Sequence, residues 1–98
     1  MSVSVEQFRW IDDNPESDAC EYCSVCLIED RIAISTRPND ATIGVVTTPM
    51  DSDPSWATVQ LNGRALVYRS NYKPPSWILI KENVKQGPYG PLDEYFIR

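Results

Sequence analysis

The chain contains no histidine, and its acidic residues outnumber its basic ones, which gives a formal net charge of −5. Without histidine, every catalytic mechanism that needs an imidazole base is excluded, including the serine and cysteine triads. An acidic domain is also poorly suited to holding the phosphate backbone of a nucleic acid. These two absences remove large classes of function before any motif is considered.

Long apolar runs are absent too, and none approaches the length that a membrane span requires. The chain does not open with a basic stretch followed by an apolar core, so we expect no signal peptide. We therefore expect neither a membrane nor a nucleic acid among its partners.

Cysteine is scarce and odd in number, with Cys20, Cys23 and Cys26 in one short segment. An odd number excludes complete pairing within the chain, and reduced thiols fit a cytosolic setting better than a secreted one. The spacing is typical of thiolates that share a metal ion. A structural zinc site needs four ligands, however, and the chain offers neither a fourth cysteine nor a histidine. We expect reduced thiols, no bound metal and no cofactor.

Helical periodicity is missing, because no stretch of ten or more residues repeats apolar side chains at i, i+3, i+4 and i+7. Eight prolines also oppose long helices. Short alternating segments predict an all-β fold, a small barrel-like or β-clip-like domain of short antiparallel strands, with a sandwich as the alternative. The length of 98 residues predicts one domain, 1–98, whose core is marginal by itself.

Eight strands are predicted between turn residues. They cover residues 2–11, 22–28, 31–36, 42–48, 56–61, 64–69, 77–81 and 94–98. Glu29-Asp30 predicts a hairpin between the second and third strands. The β-branched fourth strand is predicted to be central, with Gly44 at a close backbone approach, and the last strand is predicted to lie at an edge. A long turn is predicted at residues 86–91.

Asn62-Gly63 is a strong signal for a two-residue hairpin turn, because both positions tolerate a positive φ. In that arrangement Val59 would face Leu66, and Ala57 would face Tyr68 on the same apolar side. The competing interpretation is one continuous strand with a bulge at Gly63.

The opening strand changes its alternation near Glu6-Gln7. Val3 and Val5 share one face, whereas Phe8 and Trp10 share the other. A strand has a period of two, so this change predicts a kink or a bulge between the two pairs. Bulges re-aim side chains and often lie beside active sites. The alternative is an ordinary edge strand with solvated charges.

The segment Glu6-Gln7-Phe8-Arg9-Trp10-Ile11-Asp12-Asp13-Asn14-Pro15 resembles the opening motif of the self-cleaving C-terminal domain of phage tail-spike and preneck-appendage proteins. That family is an intramolecular chaperone of the glutamic-peptidase type. Its pattern is an acidic residue, then Phe-x-Trp, then x-Asp-Gly-Asn, and Asp13 stands here in place of the usual glycine. Shorter similarities follow at residues 31–34, 43–46, 56–67 and 95–98.

The resemblance implies a trimerisation domain that lies behind a viral fibre or spike and is released by self-cleavage just upstream of Glu6. It implies that Glu6 is the catalytic acid, and Asp12 matches the motif as its partner. The expected partners are further copies in a homotrimer and the upstream segment of the same polypeptide. The expected setting is the virion or the host cytoplasm during virion assembly.

Two other classes of function remain open on the sequence. The chain could be a non-catalytic structural or binding module of a virion or fibre tip, which retains the chaperone fold without cutting. It could instead be a small acidic inhibitor of a host protein. The acidic segments 12–18 and 51–53 could bind a basic partner of that kind. This support is weak, because their charges are dispersed.

Overall fold

The computed structural model describes residues 3–11, 21–49 and 56–98, and in these ranges the chain forms eight strands and no helix. The strands are β1 (Val5–Trp10), β2 (Ser24–Ile28), β3 (Arg31–Ile34), β4 (Thr42–Pro49), β5 (Trp56–Gln60), β6 (Gly63–Tyr68), β7 (Ile78–Gly87) and β8 (Gly90–Ile97). The predicted all-β class is thereby confirmed. No helix in the described ranges is long and apolar enough to cross a membrane.

The first five strands close into a barrel in the order β1-β3-β2-β4-β5. All neighbours in it are antiparallel except β1 and β3, which run parallel and pair Arg9 with Arg31 and Trp10 with Ile32. The predicted β2–β3 hairpin is confirmed, with Leu27 opposite Ile32 and a left-handed Glu29 (φ 59°) in its turn. The barrel-like architecture predicted from the short alternating strands is therefore present.

Strand β4 is central, as predicted, because β2 and β5 pair with its two edges. Its consecutive residues Val45 and Val46 are both fully buried but belong to different cores. Val46 packs inside the barrel, and Val45 packs under a second sheet. A strand that is buried on both faces carries apolar side chains at consecutive positions, as Val45 and Val46 do here.

The remaining strands form a three-stranded sheet in the order β6-β8-β7. Ala65, Val67 and Ile97 of this sheet form the core around Val45, together with Trp77, which directly precedes β7. The prediction of an edge position for the last strand is wrong, because β8 pairs with β6 on one side and β7 on the other. The predicted long turn is also wrong in extent, since β7 runs to Gly87 and β8 starts at Gly90.

The hairpin predicted at Asn62-Gly63 does not form. Strand β5 pairs with β1 and β4, whereas β6 pairs with β8, so the chain passes here from the barrel into the second sheet. Both edges of β5 are already occupied, which leaves no edge for β6. The Gln60 side chain instead bridges the break, and its amide nitrogen donates to the carbonyl oxygens of Asn62 (2.8 Å) and Arg64 (2.7 Å).

The bulge predicted near Glu6-Gln7 is absent as well. The register between β1 and β5 is continuous from Val5 opposite Gln60 to Arg9 opposite Trp56. Val5 is exposed, so no kink is needed to bring it to the core. In an unbroken strand Glu6 lies on the same face as Phe8 and Trp10, and this regular geometry positions the candidate site.

Candidate functional site

Glu6 lies at the rim of the barrel. Burial increases along its face of β1, from the exposed Glu6 to the half-buried Phe8 and then to Trp10, which is 4% exposed within the barrel core. Glu6 therefore lies where β1 passes from solvent into the apolar interior of the barrel. A carboxylate in that position can act on a group that reaches the rim from outside.

The wall of the barrel is incomplete beside Glu6. Strand β5 pairs with β1 from Val5 to Arg9, but among the described residues β3 pairs with β1 only at Arg9 and Trp10. The other edge of β1 is thus left without a described strand partner from Val5 to Phe8. Backbone N–H and C=O groups at such an edge can accept a further extended segment.

A cavity of about 510 Å³ opens at this gap, and we call it the rim cavity. Its lining consists of Glu6, Gln7, Phe8, Arg9, Leu27, Glu29, Asp30, Arg31 and Trp56. The parallel pairing of β1 with β3 places the turn between β2 and β3 at the same rim as Glu6. Three acidic residues from two distant parts of the sequence therefore line one cavity.

The rim cavity also has a fixed positive charge and an apolar floor. The guanidinium carbon of Arg9 lies 5.3 Å from the centre of the Trp56 ring, a cation–π contact between paired strands. Phe8 and Leu27 pack against the barrel core and supply the apolar surface. Acidic side chains, the guanidinium of Arg9 and apolar side chains therefore line one cavity.

The carboxylates of the rim do not form a cation site. Within residues 3–11, 21–49 and 56–98, no group of three or more histidine, cysteine, aspartate or glutamate side chains is arranged to hold a metal ion. Cys23 and Cys26 are 6% and 4% exposed, and Cys23 packs in the barrel core. Buried thiols of this kind act as small apolar side chains, and Cys20 lies outside the described residues.

The structure describes one of the two residues predicted for catalysis. Glu6 lies at the rim, whereas Asp12 lies outside the described residues, so its pairing with Glu6 stays a prediction. Glu29 and Asp30 were expected only as a hairpin turn, and the sequence gives no reason to place them near Glu6. Their position follows from the parallel β1–β3 pairing, which no local pattern encodes.

The chain upstream of Glu6 is anchored on the side opposite the gap. The Leu61 N–H donates to the Ser4 carbonyl oxygen (2.8 Å), and the Ser4 N–H donates to the Asn62 side-chain oxygen (2.8 Å). These bonds continue the β1–β5 register beyond Val5. Val3 then lines a separate cavity of about 470 Å³, whose other walls include Gly63 and Phe96.

No family model, curated protein or solved structure matches this chain.

Proposed function

We propose that this chain is the C-terminal intramolecular chaperone and trimerisation domain of a viral fibre or spike protein, released by cleavage of the polypeptide just upstream of Glu6. The observation that carries the proposal is the shared rim cavity, into which Glu6 and the carboxylates of Glu29 and Asp30 all open. The motif around Glu6 supports the same conclusion from the sequence.

The proposed chemistry is hydrolysis of a peptide bond by two carboxyl groups. Ionised Glu6 accepts a proton from a water molecule while the water oxygen bonds to the carbonyl carbon. The C–N bond then breaks, and the nitrogen takes a proton from the second, protonated carboxyl group. The products are a new carboxyl end and a new amino end, and no cofactor or metal is needed for this balance.

The second carboxyl group has three candidates. Asp12 fits the motif, whereas Glu29 and Asp30 share the rim cavity with Glu6. Arg9, held against Trp56, lies in the same cavity and can stabilise the negative charge that develops on the carbonyl oxygen. Substitution of each acidic residue in turn therefore identifies the second carboxyl group.

Assembly is the other half of the proposed function. Strand β7 is exposed along nearly its whole length, and four large apolar side chains on it are more than a third exposed. They are Ile78 (49%), Leu79 (43%), Ile80 (40%) and Val84 (41%). Exposed apolar side chains along an edge strand are typical of a surface that is covered by a partner, here further copies during virion assembly in the virion or the host cytoplasm.

The test uses a precursor that carries an upstream segment before Met1. We expect the wild-type precursor to cut itself on the N-terminal side of Glu6, near Ser2-Val3. Glu6→Gln keeps the size of the side chain but removes the titrating group, so cleavage should slow by about 100- to 10,000-fold while folding and assembly persist. Gels and mass spectrometry measure the rate and locate the new ends.

Matched variants identify the second carboxyl group and control for charge. Asp12→Asn, Glu29→Gln and Asp30→Asn are compared in the same precursor, and the true partner is the one whose loss slows cleavage as Glu6→Gln does. Glu82→Gln removes an exposed carboxylate on β7 and should leave cleavage unchanged.

Cleavage of the Glu6→Gln precursor at the wild-type rate would exclude Glu6 as the catalyst. A wild-type precursor that stays whole would favour the non-catalytic fibre-tip module.

A further inference from the structure

Two arginine side chains lie next to each other on the outer face of the barrel, and we call them the arginine pair. Strands β1 and β3 run parallel and pair Arg9 with Arg31, while the next pair, Trp10 with Ile32, is buried in the barrel core. Because side chains alternate along a strand, Arg9 and Arg31 lie on the face opposite that core. Paired strands are about 4.8 Å apart, so the fold places two positive charges side by side.

The arginine pair has no counter-ion in the part of the chain that the structure describes. Neither guanidinium forms an ion pair there, although Glu29 and Asp30 line the same cavity. Both arginines are exposed, so burial of their side chains does not offset their repulsion. Like charges directly opposite each other on a sheet are destabilising. An anion bound between the two guanidinium groups would remove that cost.

The Trp56 ring restricts one of the two guanidinium groups. Trp56 pairs with Arg9 across β5 and β1, and the guanidinium carbon lies 5.3 Å from the ring centre. Among the described residues, no side chain or backbone group accepts a hydrogen bond from the guanidinium of Arg9 or Arg31. A guanidinium presents its N–H donors as a planar fork, which matches the two oxygens of a carboxylate. Arg9 is thus held in place with its donors available.

The rim cavity connects the arginine pair with the proposed reaction. Arg9 and Arg31 line it from the outer face of the barrel, whereas Glu6 and Phe8 line it from the inner face. Hydrolysis turns the carbonyl group of the cut bond into a carboxylate, in which one oxygen is the former carbonyl oxygen and the other comes from water. The reaction therefore produces an anion of the kind that the arginine pair can bind.

We infer that Arg9 and Arg31 form a carboxylate subsite, which holds the new carboxyl end of the peptide after cleavage. The inference rests on the proposed function and adds a form of regulation at the same site, because a bound product blocks the rim cavity. The shared chemistry is a peptide carboxylate, and an acidic side chain within a peptide could also supply one. The experiment distinguishes these two sources.

The experiment measures the binding of short peptides to the 98-residue chain. The probes are three acetylated tetrapeptides: Ala-Ala-Ala-Leu with a free carboxyl end, the same sequence as an amide, and Ala-Glu-Ala-Leu as an amide. NMR follows the Nε–H signals of Arg9 and Arg31 during each titration. The free carboxyl end should bind about tenfold more tightly than either amide, because hydrogen bonds between charged groups are stronger than neutral ones.

Substitutions test the two arginines one at a time. Arg9→Gln and Arg31→Gln should each weaken binding of the free carboxyl end by about tenfold, to the affinity of the amide. Arg31→Lys keeps the charge but loses the planar fork, so its affinity should lie between those of the wild type and Arg31→Gln. Arg64→Gln is the matched control, since Arg64 is an exposed arginine of β6 outside the rim cavity, and it should leave the affinity unchanged.

The outcomes separate this inference from the proposed function. If the wild-type precursor cuts itself but the free carboxyl end binds no better than its amide, the inference is overturned while the proposed function stands. Equal binding of the free carboxyl end and the glutamate-containing amide would also overturn it, because the site would not select a chain end. If the free carboxyl end binds selectively but the precursor stays whole, the proposed function fails and the carboxylate subsite is supported.

Discussion

Gly44 illustrates how tightly the residues of the central strand are packed. A Cβ atom at this position would meet the backbone oxygen of Gln60 and would lie 2.9 Å from Cγ1 of Val59. The Gln60 oxygen is a backbone atom of a residue paired with Val45, so it cannot move without disturbing the barrel ladder. The close backbone approach predicted from the sequence is confirmed, and it makes this position sensitive to a single methyl group.

We expect Gly44→Ala to lower the free energy of unfolding by about 3 kcal/mol or more, because backbone cannot yield as a side chain can. Gly90→Ala is the matched control. Gly90 has a φ of 121°, but nothing lies within 4 Å of an added Cβ, so only backbone strain of about 1–3 kcal/mol applies. Urea unfolding followed by circular dichroism measures both. Equal losses in the two variants would contradict the packing argument.

At the scale of elements, a buried carboxylate fixes the irregular middle of β7. The register between β7 and β8 shifts twice, between Leu79 and Lys81 and again between Lys81 and Lys85. Asn83, left-handed at φ 56°, donates its N–H to Asp93 of β8 (2.8 Å). The Arg69 side chain adds two hydrogen bonds to Asp93 (2.9 and 3.1 Å), so one carboxylate connects β7, β8 and the turn after β6.

This contact makes stability depend on pH. The hydrogen bonds from Arg69 hold the pKa of Asp93 below its ordinary value, against the opposing effect of burial. A carboxyl group whose pKa is lower in the folded state stabilises the fold above the ordinary aspartate pKa of about 3.9 and loses that contribution as the pH falls below it. The contact between the irregular middle of β7 and Asp93 should therefore weaken in acid.

We expect Asp93→Asn to lower the free energy of unfolding at pH 7 by about 1–3 kcal/mol, because it removes a charged acceptor at a site that is 3% exposed. The variant should also lose less stability than the wild type between pH 5 and pH 2. Asp40→Asn is the control, since the Asp40 carboxylate also accepts hydrogen bonds, from the backbone N–H groups of Thr36 and Arg37, but it lies in a surface loop. Denaturant titrations at several pH values test this, and parallel acid profiles for the wild type and Asp93→Asn would refute it.

At the scale of the whole molecule, the barrel and the second sheet share their cores. Tyr68 of β6 and Leu92 of β8 pack with the barrel core, whereas Val45 of the barrel packs with the core of the second sheet. Neither part can therefore be removed without opening the core of the other. The large apolar side chains of β7 lie outside both cores, and they are exposed to solvent in an isolated chain.

We expect light scattering at micromolar concentration to give the mass of a trimer. The double variant Ile78→Ser with Ile80→Ser should shift the mass towards the monomer, because it removes two exposed apolar side chains of β7. Lys81→Gln alters an exposed polar neighbour on the same strand and should leave the mass unchanged. A monomer mass for the wild-type chain would count against the proposed chaperone function.

The sequence by itself determined the features that depend on neighbouring residues. Alternation with a period of two indicated eight strands, although β7 and β8 are longer than the predicted ranges 77–81 and 94–98. Glu29-Asp30 marked a hairpin whose strands are adjacent in the chain. The β-branched residues of β4 indicated a central position, and consecutive buried residues such as Val45 and Val46 are typical of a strand covered on both faces. The motif around Glu6 singled out a residue that lies at the rim of the barrel, and its catalytic role stays a prediction.

Only the tertiary structure decided which edges were available for pairing. Asn62-Gly63 has the local chemistry of a hairpin turn, but β1 and β4 occupy both edges of β5, so the chain had to leave the barrel there. The rim cavity depends on the parallel contact of β1 with β3, which joins Arg9 to Arg31. Such pairings between residues distant in sequence are selected by competition among all strands for burial and hydrogen bonds, and no local pattern records the result.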